Sequence, residues 1–182
     1  MRVGVLLTPS FLEAEAALVL EACRLLGLEA FTFAKARSSL DGEAGAVWTP
    51  KFALSGRPEM EALVIPGGAN MSRMGRDPVV QGWLEETWPH LQAVFLGANA
   101  SLFLAEAGYL SGAVAAQALA REALAEKGFR VVEAPSVWHD KVCSTRGYLD
   151  LARAVLDWQL APSEVRQHLG LLEPGHREGS KR

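Results

Sequence analysis

Glu15 is the residue of this 182-residue chain whose placement points most directly to chemistry. Its neighbours at helical spacing, among them Phe11, Val19 and Ala22, are apolar, so Glu15 falls on the apolar stripe of a predicted helix. A carboxylate directed into a core is costly unless it has partners, and burial tends to raise its pKa. We favour a functional acid or base, with a buried structural hydrogen bond as the competing interpretation.

A second candidate site is the turn Gly97-Ala98-Asn99-Ala100, where a predicted strand runs directly into an apolar helix. This layout is that of a nucleophile elbow, whose small residues display a central Cys or Ser at a helix N-terminus. The central position here is Ala98, which has no reactive atom. Asn99 offers amide hydrogen bonds, and Ser101 lacks an evident activating base. An ordinary strand-to-helix turn is the alternative interpretation.

Gly67 and Gly68 follow another predicted strand. Their backbone N–H groups could receive an anion or an oxyanion, and a tight turn is the simpler alternative. Ligands of an open parallel sheet bind beyond the carboxyl ends of its strands. We therefore expect this loop to meet residues 8–15 and 97–101 at one edge of the sheet.

The histidines and cysteines show no spacing typical of a metal site. The histidines are expected at the surface or in a hairpin turn: His90, His168 and His176 at the surface, His139 in the turn. Cys23 and Cys143 are expected to be buried, reduced thiols. We predict neither a metal nor a cofactor.

The elements that must position these residues alternate between β-type runs and helical stretches, which predicts an α/β fold. Strands are predicted at residues 2–7, 28–33, 62–65, 93–96, 113–116, 130–132 and 141–144. The first predicted helix begins at a capping box of Ser10 and Glu13 and ends at about Leu26. The second runs from Asp77-Pro78 to Trp88, and the third follows the fourth strand and ends at Gly108. Two more are predicted at residues 148–159 and from Pro162 onward. This alternation predicts a three-layer α/β/α sandwich with a mainly parallel sheet.

Composition limits the partners of the protein. The formal net charge of −3 is not segregated into blocks, which argues against nucleic acid. No apolar run approaches the roughly 20 residues that cross a bilayer, and no signal segment is visible, so we expect no membrane partner and a cytoplasmic location. One domain is predicted over residues 1–172, with a disordered polar tail over 173–182.

These motifs, in this order, resemble the ThiJ/PfpI superfamily of the class I glutamine-amidotransferase-like group. The carriers are Val5-Leu6-Leu7 followed by Glu15, the run 63–68, the elbow leading into residues 104–112, and Ser144-Thr145-Arg146-Gly147. The resemblance extends to about Leu160 and implies a flavodoxin-like fold. It also implies self-association, most simply as a homodimer.

Enzymes of this superfamily carry an elbow cysteine, an inward glutamate that hydrogen-bonds it, and usually a histidine after the next strand. The resemblance assigns one residue of this chain to each position: Ala98 to the cysteine, Glu15 to the glutamate, Gln117 or Ala118 to the histidine, and Gly67 and Gly68 to the oxyanion-type donors. The scaffold and the glutamate are therefore present, whereas the nucleophile and the histidine are not.

A methyl group can neither attack a carbonyl nor be oxidised to a sulfenic acid. We therefore expect that cysteine-dependent catalysis has been lost and that a pocket at Gly67, Gly68 and Asn99 is kept for small-molecule binding, regulation or assembly. One alternative is a hydrolase, hydratase or glyoxalase-type enzyme that uses Glu15 as general acid or base. Another is a purely structural homo-oligomer.

Overall fold

The computed structural model describes residues 1–171. Its strands are β1 (Arg2–Leu6), β2 (Glu29–Ala34), β3 (Leu40–Asp41), β4 (Val47–Trp48), β5 (Phe52–Ala53), β6 (Ala62–Ile65), β7 (Ala93–Leu96), β8 (Ala113–Val114), β9 (Arg130–Val131), β10 (Ser136–His139) and β11 (Val142–Thr145). Its α-helices are α1 (Glu13–Leu25), α2 (Met71–Arg76), α3 (Pro78–Thr87), α4 (Ser101–Ala107), α5 (Ala118–Glu126), α6 (Leu149–Trp158) and α7 (Ser163–His168). The tail predicted over 173–182, with His176, lies outside the described residues.

The central sheet has seven strands in the order β10-β11-β7-β6-β1-β2-β5. All neighbouring pairs are parallel except the β10–β11 hairpin, where Ser136 opposes Thr145. Two small sheets, β3–β4 and β8–β9, lie apart from it. The carboxyl ends of β1, β6, β7 and β11 therefore open onto one edge, where the loops of the candidate site meet.

Successive residues of the central strands point to opposite faces of the sheet and pack in two apolar layers, as expected for a parallel sheet covered on both faces. Val5, Val64 and Phe95 face α1 and α6 in one layer. Leu6, Ile65 and Leu96 face α2, α3 and α4 in the other. The prediction of a three-layer α/β/α sandwich with a mainly parallel sheet is confirmed. No helix within residues 1–171 is both long enough and apolar enough to cross a membrane.

Two helix ends agree with the predicted signals. The Asp77 side chain accepts hydrogen bonds from the backbone N–H groups of Val79 (2.9 Å) and Val80 (3.4 Å), and Pro78 opens α3. Gly108 ends α4 with a φ of +83°, a left-handed conformation that glycine adopts without strain. Both ends were predictable because capping depends on local residue types.

The predicted capping box at Ser10 and Glu13 is wrong. The N-cap of α1 is Leu12, which makes no side-chain cap, and Ser10 has a φ of +53° outside the helix. The Glu13 carboxylate instead accepts hydrogen bonds from the backbone N–H groups of Ala44 (3.0 Å) and Ala46 (3.1 Å). These bonds hold the β3–β4 loop against the start of α1, a distant contact that the local pattern could not reveal.

The remaining differences concern short elements. The run 113–116 forms only the two-residue β8, which pairs with β9 outside the main sheet. The last predicted strand begins at Val142 and is preceded by β10, so His139 ends a strand and the turn is formed by Asp140 and Lys141. The hairpin predicted around His139 is therefore confirmed, with a slightly later turn.

Candidate functional site

The Glu15 carboxylate is the centre of the site and is fully buried near the start of α1. Its Oε1 accepts a hydrogen bond from the backbone N–H of Gly67 at 2.8 Å. Its Oε2 accepts two more, from the N–H of Ala98 at 3.0 Å and of Tyr148 at 2.6 Å. One side chain thus joins α1 to the turns that follow β6, β7 and β11.

Burial raises the pKa of Glu15 above its ordinary value, and the three backbone hydrogen bonds, led by the one from Ala98, act in the opposite direction. No part of the carboxylate is exposed to solvent. A general acid or base must reach the proton that it transfers, directly or through a water molecule. The position of Glu15 therefore suits a residue that links loops through hydrogen bonds better than a residue that contacts a substrate.

Two glycines give the carboxylate its space. A Cβ on Gly97 would lie 2.7 Å from Glu15 Oε2, and a Cβ on Gly147 would lie against the same oxygen and 2.5 Å from Ala98 N. Gly147 also has a φ of +92°, so a side chain there would be strained as well as crowded. Only glycine fits at both positions while Glu15 keeps its three donors.

Thr145 fixes the same turn from the side of β11. Its hydroxyl donates a hydrogen bond to the carbonyl of Leu96 at 2.8 Å and accepts one from the N–H of Gly147 at 2.9 Å. The residue after Gly147, Tyr148, has a φ of +50°. The Ser144-Thr145-Arg146-Gly147 motif therefore holds the ends of β7 and β11 together and aims the Tyr148 N–H at Glu15.

Ala98, the position assigned to the nucleophile, is completely buried. Among residues 1–171, positive φ values at residues other than glycine occur at six positions, and Ala98 is not one of them: Ser10, Arg57, Asn70, Asp140, Tyr148 and Leu160. A nucleophile elbow holds its central residue in a strained turn that exposes the side chain. The turn at Ala98 has the sequence layout of an elbow without this display.

Asn99 and Gly68 form a reciprocal pair beside this turn. The Gly68 N–H donates to Asn99 Oδ1 at 3.1 Å, and Asn99 Nδ2 donates to the Gly68 carbonyl at 2.8 Å. The backbone donors of Gly67 and Gly68 are therefore both engaged, one by Glu15 and the other by Asn99. Neither N–H is left to receive an oxyanion.

A depression of about 380 Å³ lies over Asn99 at this edge of the sheet. Its lining contains two of the predicted site residues, Gly68 and Asn99, together with Ser10, Leu12, Glu43, Ala69, Gln117, Leu119 and Tyr148. Glu15, Ala98 and Gly67 are buried and do not line it. The sequence identifies Gln117 only as a replaced histidine position and Tyr148 only as the start of a helix.

A larger depression of about 620 Å³ lies elsewhere, at the amino ends of the strands beside Arg2, Glu61 and His90. Its charges are partly paired with one another, as in the ion pair between Arg57 and Glu86 at 3.1 Å. Open parallel sheets bind ligands at the opposite edge. The depression over Asn99 is therefore the better candidate despite its smaller volume.

The other nucleophiles are inert. Burial raises the pKa of both Cys23 and Cys143 to about 12, so neither thiol ionises near neutral pH. The Ser101 hydroxyl is buried, and among the described residues it has no hydrogen-bond partner that could activate it. His90 and His139 are exposed at the surface. Within residues 1–171 no cluster of His, Cys, Asp and Glu is arranged to hold a metal ion.

Solved structures from several organisms share this fold. A cysteine-to-alanine mutant of a DJ-1 superfamily protein from Salmonella typhimurium matches with a TM-score of 0.79 and 24% identity, over 93% of this chain and 96% of that one. A ThiJ/PfpI family protein from Pseudomonas syringae matches with a TM-score of 0.80 and 20% identity, over 98% of this chain and 78% of that one. DJ-1beta of Drosophila melanogaster matches with a TM-score of 0.80 and 18% identity, over 94% of this chain and 98% of that one.

At these identities the structural matches show a common fold and no common activity. A search of curated proteins found no match. The model of the DJ-1/PfpI family, by contrast, matches residues 1–157, which is most of the chain. The buried glutamate, the glycine-lined loops and the turn at Ala98 all fall within that match, and the protein belongs to the DJ-1/PfpI family.

Proposed function

We propose that this protein is a non-catalytic member of its family that binds an uncharged small molecule in the depression over Asn99. The observation that carries the proposal is the engagement of three backbone donors around Ala98 by the Glu15 carboxylate. The N–H groups of Gly67, Ala98 and Tyr148 donate to Glu15. Acyl-transfer chemistry needs preorganised donors that are free to receive developing negative charge, and here the protein's own carboxylate occupies these three.

The absence of a nucleophile at Ala98 supports the same proposal. The two native thiols, Cys23 and Cys143, do not replace it, because burial raises the pKa of both. The alternative of a hydrolase, hydratase or glyoxalase-type enzyme that uses Glu15 has one supporting feature, the raised pKa of this group. The complete burial of Glu15 argues against it, because substrate and water would have to displace hydrogen-bonded turns to reach the carboxylate.

Turnover measurements test the loss of catalysis. Purified protein is assayed with methylglyoxal, small amides and peptides, alongside the Glu15→Gln and Glu13→Gln variants. Glu13 is the matched control, because its carboxylate also accepts backbone hydrogen bonds but lies near the surface. We expect no turnover above the uncatalysed rate in any of the three. Activity that survives purification, persists in Glu13→Gln and disappears in Glu15→Gln would overturn the proposal.

A fragment screen read by NMR tests the binding role. The side-chain amide signals of Asn99 and Gln117 report on the depression that both residues line. We expect uncharged fragments to shift these two signals and to leave the exposed Gln92 amide unchanged. A screen in which no fragment of any class shifts them would contradict the binding role, whatever the outcome of the turnover assays.

Self-association and a cytoplasmic location remain proposals that the sequence motivates. A homodimer is the simplest assembly implied by the resemblance to the superfamily. Light scattering on the purified full-length chain measures the mass directly. A monomer at all concentrations tested would exclude the dimer without affecting the proposal for the depression over Asn99.

A further inference from the structure

The depression over Asn99 is lined mainly by uncharged residues, several of which can form hydrogen bonds. Among the described residues that line it, Glu43 is the one acidic side chain, and neither lysine, arginine nor histidine contributes. The nearby N–H groups of Gly67 and Gly68 already donate to side chains. A carboxylate or phosphate group would therefore meet one negative charge and no compensating cation, which makes anionic ligands unfavourable.

Two carboxamides line the depression, together with the hydroxyl groups of Ser10 and Tyr148. Asn99 uses one N–H and one oxygen lone pair on Gly68, so a second N–H and a second lone pair remain on the same amide. Gln117 is anchored through its backbone, whose N–H donates to the Ala98 carbonyl at 3.0 Å and whose carbonyl accepts from Ala120 N at 2.9 Å. Its carboxamide therefore keeps donor and acceptor for a ligand.

The walls of the depression are apolar and aromatic. Leu119 is 89% exposed and Tyr148 is 43% exposed, and both line the depression beside the two amides. Leu12 contributes a further apolar surface. Large exposed apolar side chains around a polar floor are characteristic of a ligand site, because ligand binding removes their surface from water.

We propose that the ligand is a planar heterocycle of the nucleobase type, whose edge carries a hydrogen-bond donor next to an acceptor. Its edge bonds to the carboxamides of Asn99 and Gln117, and its ring packs on Tyr148. The free Gln117 carboxamide can match such an edge with paired hydrogen bonds. Asn99, whose paired edge bonds to Gly68, adds a single bond, and aromatic side chains stack on the ring faces of bases. The volume of about 380 Å³ lies within the range for small-molecule sites. This inference rests on the proposed binding function and specifies its ligand.

Two pairs of matched probes test the ligand class with the full-length chain. Adenine is compared with 6-dimethylaminopurine, which keeps the ring but lacks the amino N–H. Nicotinamide is compared with nicotinate, which replaces the amide by an anion of similar shape. Dissociation constants come from NMR titration of the Asn99 and Gln117 side-chain amides. We expect the first member of each pair to bind more tightly by about threefold to tenfold, the effect of one neutral hydrogen bond.

Gln117→Leu removes one amide at nearly constant size and is expected to weaken adenine binding by about threefold to tenfold. Gln92→Leu is the control, because Gln92 is exposed and does not line the depression. The proposal is overturned if 6-dimethylaminopurine or nicotinate binds as tightly as its partner, or if Gln117→Leu behaves like the control. Binding by other fragments alone overturns the ligand class and leaves the proposed function intact, whereas no binding by any fragment overturns both.

Discussion

Replacing Gly147 by alanine tests whether the turn after β11 is shaped around the Glu15 carboxylate. A Cβ at this position would lie against Glu15 Oε2 and 2.5 Å from Ala98 N. Gly147 also has a φ of +92°, so the substitution adds backbone strain of about 1–2 kcal/mol. The experiment must separate this strain from the steric effect on Glu15.

Gly45→Ala provides the separation. Gly45 has a φ of +91°, and a Cβ there would have no heavy atom within 4 Å. The control therefore carries the backbone strain alone. In Gly147→Ala the carboxylate must also move away from donors on Ala98 and Tyr148, and a hydrogen bond to a charged group contributes about 1.5–3 kcal/mol. If only one of these hydrogen bonds is lost, its contribution is the smallest difference expected between the unfolding free energies of Gly147→Ala and Gly45→Ala.

We therefore expect Gly147→Ala to unfold with a free energy at least about 1.5–3 kcal/mol below that of Gly45→Ala. Urea unfolding followed by circular dichroism measures both values. With a urea dependence of about 1–3 kcal/mol per molar, the two midpoints should differ by roughly 1 M. If the two variants agree within about 0.5 kcal/mol, the close fit between Gly147 and Glu15 has no energetic role and the reasoning fails.

Further predictions concern thiols, pH and the β11 turn. Because burial raises the pKa of Cys23 and Cys143 to about 12, native protein should react with a disulfide reagent only after unfolding, and rapid labelling at neutral pH would be contradictory. In Ala98→Cys the new thiol lies in a buried position beside the Glu15 carboxylate, so the pH dependence of its alkylation should give a pKa no lower than the ordinary ~8.5. A thiol with a lowered pKa and rapid alkylation would mean that the site can still activate a nucleophile. Because the pKa of Glu15 is raised in the folded state, the folded protein binds more protons than the unfolded chain above pH 4.5. The free energy of unfolding should therefore fall as the pH rises from 4.5 through the raised pKa. Urea titrations at several pH values should show that Glu15→Gln lacks this pH dependence. Thr145→Val removes one donor and one acceptor, and should lower the unfolding free energy by about 1–3 kcal/mol, whereas an unchanged stability would contradict its structural role.

Much of the sheet could be predicted because its central strands are short apolar runs bounded by turn residues. β6 and β7 have the predicted bounds, and the pairs Pro66-Gly67 and Gly97-Ala98 mark their ends. The inward direction of Glu15 followed from helical spacing alone. The two-residue strands β3, β4 and β5 were missed, since two residues carry no measurable periodicity.

The partners of Glu15 could not be predicted from local patterns. Its three donors come from residues 52, 83 and 133 positions away along the chain, and all three are backbone groups, which leave no trace in residue type. The glycines that make room for the carboxylate are visible in the sequence, but the motif that contains Gly147 does not show that this residue faces Glu15. The same holds for Ser10 and Glu13, whose spacing matched a capping box although the structure uses Glu13 to hold the β3–β4 loop.

The central claim is that the Glu15 carboxylate occupies the backbone donors of Gly67, Ala98 and Tyr148. Amide hydrogen exchange read by NMR measures this directly, with the Gly68 N–H, which donates to Asn99, as the internal comparison. We predict that the amides of Gly67, Ala98 and Tyr148 are protected in the native protein and lose protection together in Glu15→Gln, while Gly68 changes little. Exchange of these three amides at the rate of exposed loops in the native protein would contradict the claim.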